Sequence, residues 1–267
     1  MDKIIGQKSL VEQLKKYSFN DMPNTLLFIG EKGAGKHFIS SQFAEYLGVD
    51  LKEINNQTTS DQLTEYYQNS LPMVYLIDLT TIAEKQQHKY LKFIEEPSSN
   101  MKIILIAESE IGLLPTILNR CIKYNLAEYT VDQLKQFSWA AQIKDDIVFK
   151  LCTTPGQLLS LSNTDILKVM QSACSNMIKT ISNVSYSNFI SNSCKINFKE
   201  EYNKFDFELF FKMLIYTAYD EFILSRNEVA FTVYTYLIRR KQQLLNKTVA
   251  KEAFIINTLD EVWRLVH

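Results

Sequence analysis

The chain has 267 residues, 46% of them apolar and 22% charged, with a formal charge of −1. That make-up supports a sizeable core and gives no global pull toward nucleic acid or an anionic membrane surface. It holds no run of 18 apolar residues, and its opening, MDKIIGQKSLVEQLKKY, lacks the apolar stretch and small-residue site of a secretory leader, so a cytoplasmic protein without a membrane span is expected.

Glycine and proline divide the chain. All seven glycines and all five prolines lie at or before Gly156, and none follows it. Helix interiors exclude both residues and the loops of α/β units use them, so the pattern predicts an α/β N-terminal part and an all-helical C-terminal part. In chain order, short apolar runs at Thr25–Ile29, 73–77 and 102–107 read as buried strands, with weaker candidates at 51–54 and 121–124. Helical patterns at Lys36–Leu47, 59–69 and 82–96 alternate with them. Alternation of this kind predicts a parallel sheet with crossover helices. Ile82, Tyr90, Leu91 and Ile94 fit one packed stripe. After TTPGQLLSLS, near residue 162, long helical patterns cover 164–181, 205–224, 228–245 and 249–266. The stretch FDFELFFKMLIYTAYDEFIL is apolar around most of its circumference, as a helix buried in a bundle core or against another subunit would be.

Between the first strand and the first long helix stands Gly30-Glu31-Lys32-Gly33-Ala34-Gly35-Lys36-His37. It follows the phosphate-loop pattern G-x-x-x-x-G-K-[ST] in the expected strand-to-helix setting, except at its last position. Gly30, Gly33 and Gly35 permit the backbone that aims N–H groups at phosphates, and Lys36 is the cation for the outer phosphates. His37 stands where a hydroxyl would meet magnesium, and imidazole is a poor magnesium ligand. The strand MVYLID ends in Asp78, where hydrolysing phosphate-loop proteins carry an acidic pair. The second position is Leu79, which can neither hold a metal nor polarise water.

Three further segments carry a family resemblance. LKFIEEPSSN (residues 91–100) resembles the LLK-x-LEEPP stretch of bacterial clamp-loader subunits, LLPTILNRC (113–121) resembles their LLPTI-x-SRC segment, and TTPGQLLSL (153–161) resembles the G-S-P-G-R-A-L stretch of their helical lid. The opening IIGQKSLVEQL and the ending LLNKTVAKEAFIINTLDEVWRL are similar to the start and the collar helix of the delta-prime subunits of bacterial DNA polymerase III. The resemblance covers most of the chain and matches poorly over 165–200. It implies an AAA+ fold in three parts: an ATPase-like domain at 1–126, a lid at 127–164 and a helical collar at 165–267. It also implies partners, namely delta-type and gamma- or tau-type subunits in a hetero-oligomer, the sliding clamp, and primer-template DNA reached through the complex. Arg120, in the matching SRC-type segment, would be an arginine finger acting in trans on a neighbour's nucleotide site.

The residue chemistry agrees with that role. Arg120 is the only arginine before Arg226, lysine supplying every other formal cation there. A planar, permanently charged fork suits phosphate charge in a way that an ammonium does not. Asn119 replaces the family serine, a small polar change. Other departures weaken nucleotide turnover. Gln157 replaces the lid arginine that senses nucleotide, and the sensor region reads Ala107-Glu108-Ser109, where Ser109 could substitute as the polar sensor but Glu108 would repel phosphate. The four-cysteine zinc knob of many relatives is missing. Cys121, Cys152, Cys174 and Cys194 form no C-x-x-C pair and read as buried free thiols. The reading is therefore a non-hydrolysing, delta-prime-like subunit that needs no cofactor and leaves residual ATP or ADP binding at Gly30, Gly33, Gly35, Lys36, His37 and Asp78 open. The alternative is an ATP-hydrolysing AAA+ motor subunit or another remodelling ATPase. Arg239, Arg240 and Lys241 read as a solvated helix face. Phe205, Phe207, Phe210 and Phe211 read as packing, Lys15 and Lys16 as helix surface, and His88 as a residue without a catalytic partner.

Overall fold

The structure, a computed structural model, describes residues 1–143, 146–162, 166–181, 207–244 and 251–267. Cys194 and Phe205 lie outside the described residues, as do the ends of several expected helices. The chain divides into two compact units, Met1–Ser162 and Asn163–His267.

In the first unit, five strands form one parallel sheet: β1 Thr25–Ile29, β2 Asp50–Ile54, β3 Met73–Asp78, β4 Met101–Ala107 and β5 Ile122–Asn125. Their order is β2-β3-β4-β1-β5. Every residue of β1 and β4 is buried, because helices cover both faces of the central strands, which explains sequences that are apolar but for Thr25 and for Lys102, whose ammonium donates to Met22 O and Asn24 Oδ1. The edge strands β2 and β5 are mostly exposed and carry Asp50, Lys52, Glu53, Lys123 and Asn125. Successive β-residues point to opposite faces. Leu26, Phe28, Val74, Leu76, Ile104 and Ile106 meet α1 (Lys8–Leu14) and α2 (Lys36–Leu47) through Leu10, Leu14, Ile39 and Phe43. Leu27, Ile29, Tyr75, Ile77, Ile103 and Leu105 meet α3 (Ser60–Tyr67) and α4 (Glu84–Glu95) through Leu63, Tyr90, Phe93 and Ile94. Each of these fully buried side chains contributes about 1.5–3 kcal/mol by leaving water. Truncating Phe28, which has no exposed surface, to alanine costs about 3–5 kcal/mol.

Local signals set the helix ends. α3 begins with a full capping box, in which Thr59 accepts from the Gln62 amide and Gln62 Oε1 accepts from the Thr59 amide. The same device starts α6 (Val131–Lys135), through Thr130 and Gln133. α4 begins at Glu84 and not at 82, because Leu79–Thr81 first forms a 3₁₀ turn capped by Asp78. Short helices α5 (Pro115–Leu118), α7 (Asp146–Leu151) and α8 (Pro155–Ser162) complete this unit.

The second unit is helical in every described residue but the short connections: Ile166–Thr180, Phe207–Ser225, Glu228–Leu244 and Lys251–Val266. Helix Phe207–Ser225 packs against the other three and buries Leu209, Phe210, Phe211, Met213, Leu214, Ile215 and Ala218, while Tyr219, Ile223 and Leu224 near its end are exposed. Phe210 and Phe211 are thus core residues. One expectation is corrected here. Arg240 does not stand on a solvated face: it is largely buried, its guanidinium lies over the Phe254 ring at 4.7 Å, and it reaches Glu261 and Gln243. It shares a helical stripe with buried Val233 and Leu237, so its neighbours in space are apolar. No helix among the described residues is long and apolar enough to cross a membrane.

Candidate functional site

The phosphate loop leaves the carboxyl end of β1 and turns into α2 at Gly35, whose φ of 87° lies in the left-handed region that glycine adopts freely. The first-turn amides of α2, at Lys36 and His37, have no carbonyl of their own helix to bond. Lys36 is buried, and its ammonium folds back on the loop, donating to Gly30 O at 2.6 Å and Glu31 O at 2.9 Å. Burial holds its pKa below the usual lysine range, against the opposing pull of Glu108, Asp78 and Glu31. An open pocket of about 670 Å³ lies beside this corner, lined by Gly33, Gly35, Lys36, His37, Asp78 and Glu108 among others.

His37 does more than omit a hydroxyl. Its Nδ1 lies 3.3 Å from Glu53 Oε1 and its Nε2 lies 3.2 Å from Asp78 Oδ2, so the ring bridges β2 and β3. The second oxygen of Asp78 accepts from the Thr80 amide and the Thr80 hydroxyl. Both oxygens of the carboxylate expected to serve a metal are therefore engaged by the chain itself. Leu79 is buried, and among the described residues no group of three His, Cys, Asp or Glu side chains could hold a metal. The residues present do not fit a magnesium-bound nucleotide handled for hydrolysis.

Three groups that sequence reading did not single out, Tyr129, Thr153 and Thr154, bond the loop, and a fourth, Gln7, holds the chain just before Tyr129. Tyr129 is buried, and its hydroxyl donates to Ala34 O at 3.2 Å. Gln7 clamps the residue before Glu128, its Nε2 donating to Ala127 O and its Oε1 accepting from the Ala127 amide. Thr154 donates to Lys32 O at 3.0 Å and accepts from the Gln157 amide at 3.2 Å. Thr153 donates to Glu31 Oε2 at 2.5 Å, and Gln157 Nε2 meets the same oxygen at 3.2 Å. Gln157, at the position of the family's sensing arginine, thus faces a loop carboxylate. The sequence signal for Thr154 was available: Thr-Pro before a helix is a cap with proline at the first helical position.

Arg120 stands elsewhere. β5 runs parallel to β1, with Leu26 opposite Ile122 and Ile29 opposite Asn125. Lys36 follows the carboxyl end of β1, whereas Arg120 precedes the amino end of β5. The two cations leave opposite ends of these adjacent strands, whose paired length is roughly 10 Å at about 3.3 Å per residue. The guanidinium is 42% exposed, with Nη2 3.2 Å from Glu95 Oε1 and Nη1 donating to Thr116 O at 2.9 Å. Neighbouring Cys121 is half-buried, and burial pushes its thiol up to about 11. Cys152 and Cys174 are buried and take part in no disulfide.

A parallel sheet in this order, with a phosphate loop leaving β1 and an acid at the end of β3, has the architecture of the AAA+ class of phosphate-loop proteins. Residues 67–130, less than half of the chain, match the family model described as DNA polymerase III, delta subunit. That segment contains both the EEP and the LLPTI-x-NRC stretches. No curated protein matches the chain. Among solved structures, the RuvB Holliday junction branch migration motor of Thermotoga maritima is similar over 72% of this chain and 83% of its own, at 16% identity and a TM-score of 0.49. A DNA polymerase III gamma subunit-related protein of the same organism is similar over 98% of this chain and 100% of its own, at 16% identity and a TM-score of 0.43.

Proposed function

We propose that this chain is a delta-prime-like subunit of a bacterial replicative clamp loader that does not hydrolyse ATP and lends Arg120 to the nucleotide site of a neighbouring motor subunit. The observation that carries the reading is the separation of Arg120 from its own phosphate loop. Exposed before the amino end of β5, Arg120 lies at the end of the strands opposite the phosphate loop that holds Lys36, a position that suits an arginine finger acting in trans. The match of residues 67–130 supports the family, and the capture of Asp78 by His37 and Thr80 supports the loss of turnover. In this reading residues 1–126, 127–164 and 165–267 serve as ATPase-like domain, lid and collar, and the partners are delta-type and gamma- or tau-type subunits with the sliding clamp. Exposed Tyr219, Ile223, Leu224 and Phe231 on the helical unit suit a contact with other subunits.

The test is reconstitution with the host's other loader subunits. Arg120→Ala should leave assembly intact and abolish turnover at one neighbouring site, where a trans arginine contributes roughly a thousandfold or more, and Arg120→Lys should fail to rescue it. DNA-stimulated ATPase and clamp loading equal to wild type in the Arg120→Ala complex would refute the role. A motor ATPase is the second reading, favoured by the pocket beside Lys36. Magnesium-dependent phosphate release by the isolated chain, lost in Lys36→Ala, would establish it instead.

A further inference from the structure

We propose that the phosphate loop of this chain is a socket for its own segment 153–157, which locks the residues after β5 onto the sheet domain without nucleotide. Three kinds of contact converge there. The first is backbone on backbone: the Gly156 amide donates to Gly33 O at 3.0 Å. A Cβ built on Gly156 would stand 2.5 Å from Gly33 Cα, and one built on Gly33 would stand 2.8 Å from Gly156 Cα. Neither position tolerates a side chain while the two strands of chain touch. Gly33 also has a φ of 83°, in the left-handed region that glycine adopts freely, so both the local backbone and the approach of Gly156 call for glycine there.

The second contact is the clamp on Glu31, whose Oε2 receives both the Thr153 hydroxyl and the Gln157 amide group. The third is the occupation of the loop's carbonyls. Gly30 O and Glu31 O take the Lys36 ammonium, Lys32 O takes Thr154, Gly33 O takes the Gly156 amide, and Ala34 O takes the Tyr129 hydroxyl. Five successive carbonyls are thus bonded within the chain. The Tyr129 amide closes the circuit by donating to Thr153 O at 2.9 Å. A nucleotide sensor must exchange contacts when its ligand arrives, whereas a socket keeps them. All of these contacts lie within residues 1–162, whatever complex the chain joins.

Hydrogen exchange on the full chain tests the lock. The reporters are the amides of Tyr129, Gly156, Gln157 and Leu158, each hydrogen-bonded to the segment or the loop. In wild type they should exchange slowly with no nucleotide and at the same rate in millimolar ATP and magnesium. Gly156→Val should speed them tenfold or more while the amides of β1 and β4 stay protected. Glu31→Ala, which removes only the clamp, should speed them severalfold. Reporter amides that exchange like an open loop until ATP slows them tenfold would overturn the proposal. So would unchanged rates in Gly156→Val, or in Glu31→Ala if the valine variant loses its sheet protection as well.

Discussion

Thr154→Val isolates one hydroxyl of the lock at nearly constant volume. Thr154 is 1% exposed, so valine keeps the packing and removes two hydrogen bonds, one to Lys32 O and one from the Gln157 amide. The second is an N-cap, and losing such a cap costs about 1 kcal/mol. The first is an ordinary net hydrogen bond, again about 1 kcal/mol. Lys32 is exposed at the surface, so its carbonyl regains water and the full penalty of a buried orphan does not apply. The expected loss is therefore about 2 kcal/mol, and Thr154→Ser, which keeps the hydroxyl, should lose less than about 1 kcal/mol. Urea unfolding measures it if the two units are read separately. Trp139 lies in the first unit and Trp263 in the second, so a Trp263→Phe background reports the first alone. A Thr154→Val midpoint matching wild type, within about 0.5 kcal/mol at an unchanged slope, would mean that the segment's hydroxyl contacts do not hold it on the loop.

Arg120→Ala should change the stability of the isolated chain by less than about 1 kcal/mol, because its pair with Glu95 is solvent-exposed; a larger loss in urea unfolding would make Arg120 a structural residue. In a variant keeping Cys121 as the sole cysteine, a thiol held near 11 leaves little thiolate at pH 8. Labelling by a disulfide reagent should run roughly a hundredfold slower than for a small free thiol and climb about tenfold per pH unit up to pH 10; a flat profile would contradict the burial that causes the shift. His37→Thr restores a hydroxyl and frees Asp78 Oδ2, yet leaves Oδ1 on Thr80 and keeps Leu79 and Glu108 in place, so phosphate release should stay at the level of Lys36→Ala; turnover above that level would show that His37 alone disables the site.

The central strands and α2 were legible because a strand covered on both faces reads as a near-continuous apolar run, as β1 and β4 do apart from Thr25 and Lys102. The edge strands were legible only in part. β2 begins at Asp50 and β5 ends at Asn125, polar residues that an apolar pattern leaves out and that main-chain pairing draws in. The phosphate loop announced its type through spacing, but the reach of His37 to Glu53 and Asp78 depends on which strands lie beside α2, a property of sheet order and not of local sequence. The burial of Arg240 was within reach. Arginine 239 and lysine 241 point away from it on a helix, and only position 240 shares the stripe of Val233 and Leu237. A reading by charge cluster averaged three directions that a reading by period would have separated.

The arginine and the loop constrain each other physically. A guanidinium lent to a neighbour has to be in place whenever that neighbour holds nucleotide, so any cycle that moved it would waste part of its effect, since an effective donor is scaled by the fraction of time it is competent. A subunit whose own loop exchanged contacts with ATP would move on its own schedule. Under the proposed lock, the bonds from Lys32 O, Gly33 O and Ala34 O to residues 129–156 would persist whether or not ATP is present, and a ligand without differential affinity for two states shifts neither. The pair between Arg120 and Glu95 then sets the opposite condition at the other end. It is exposed, and such pairs contribute about 1 kcal/mol or less, so a phosphate group with its larger charge can displace the carboxylate at little loss. Under the proposed role, a rigid base and an easily exchanged partner for the arginine are the two properties a fixed donor would require, and they sit at opposite ends of the β1 and β5 strands.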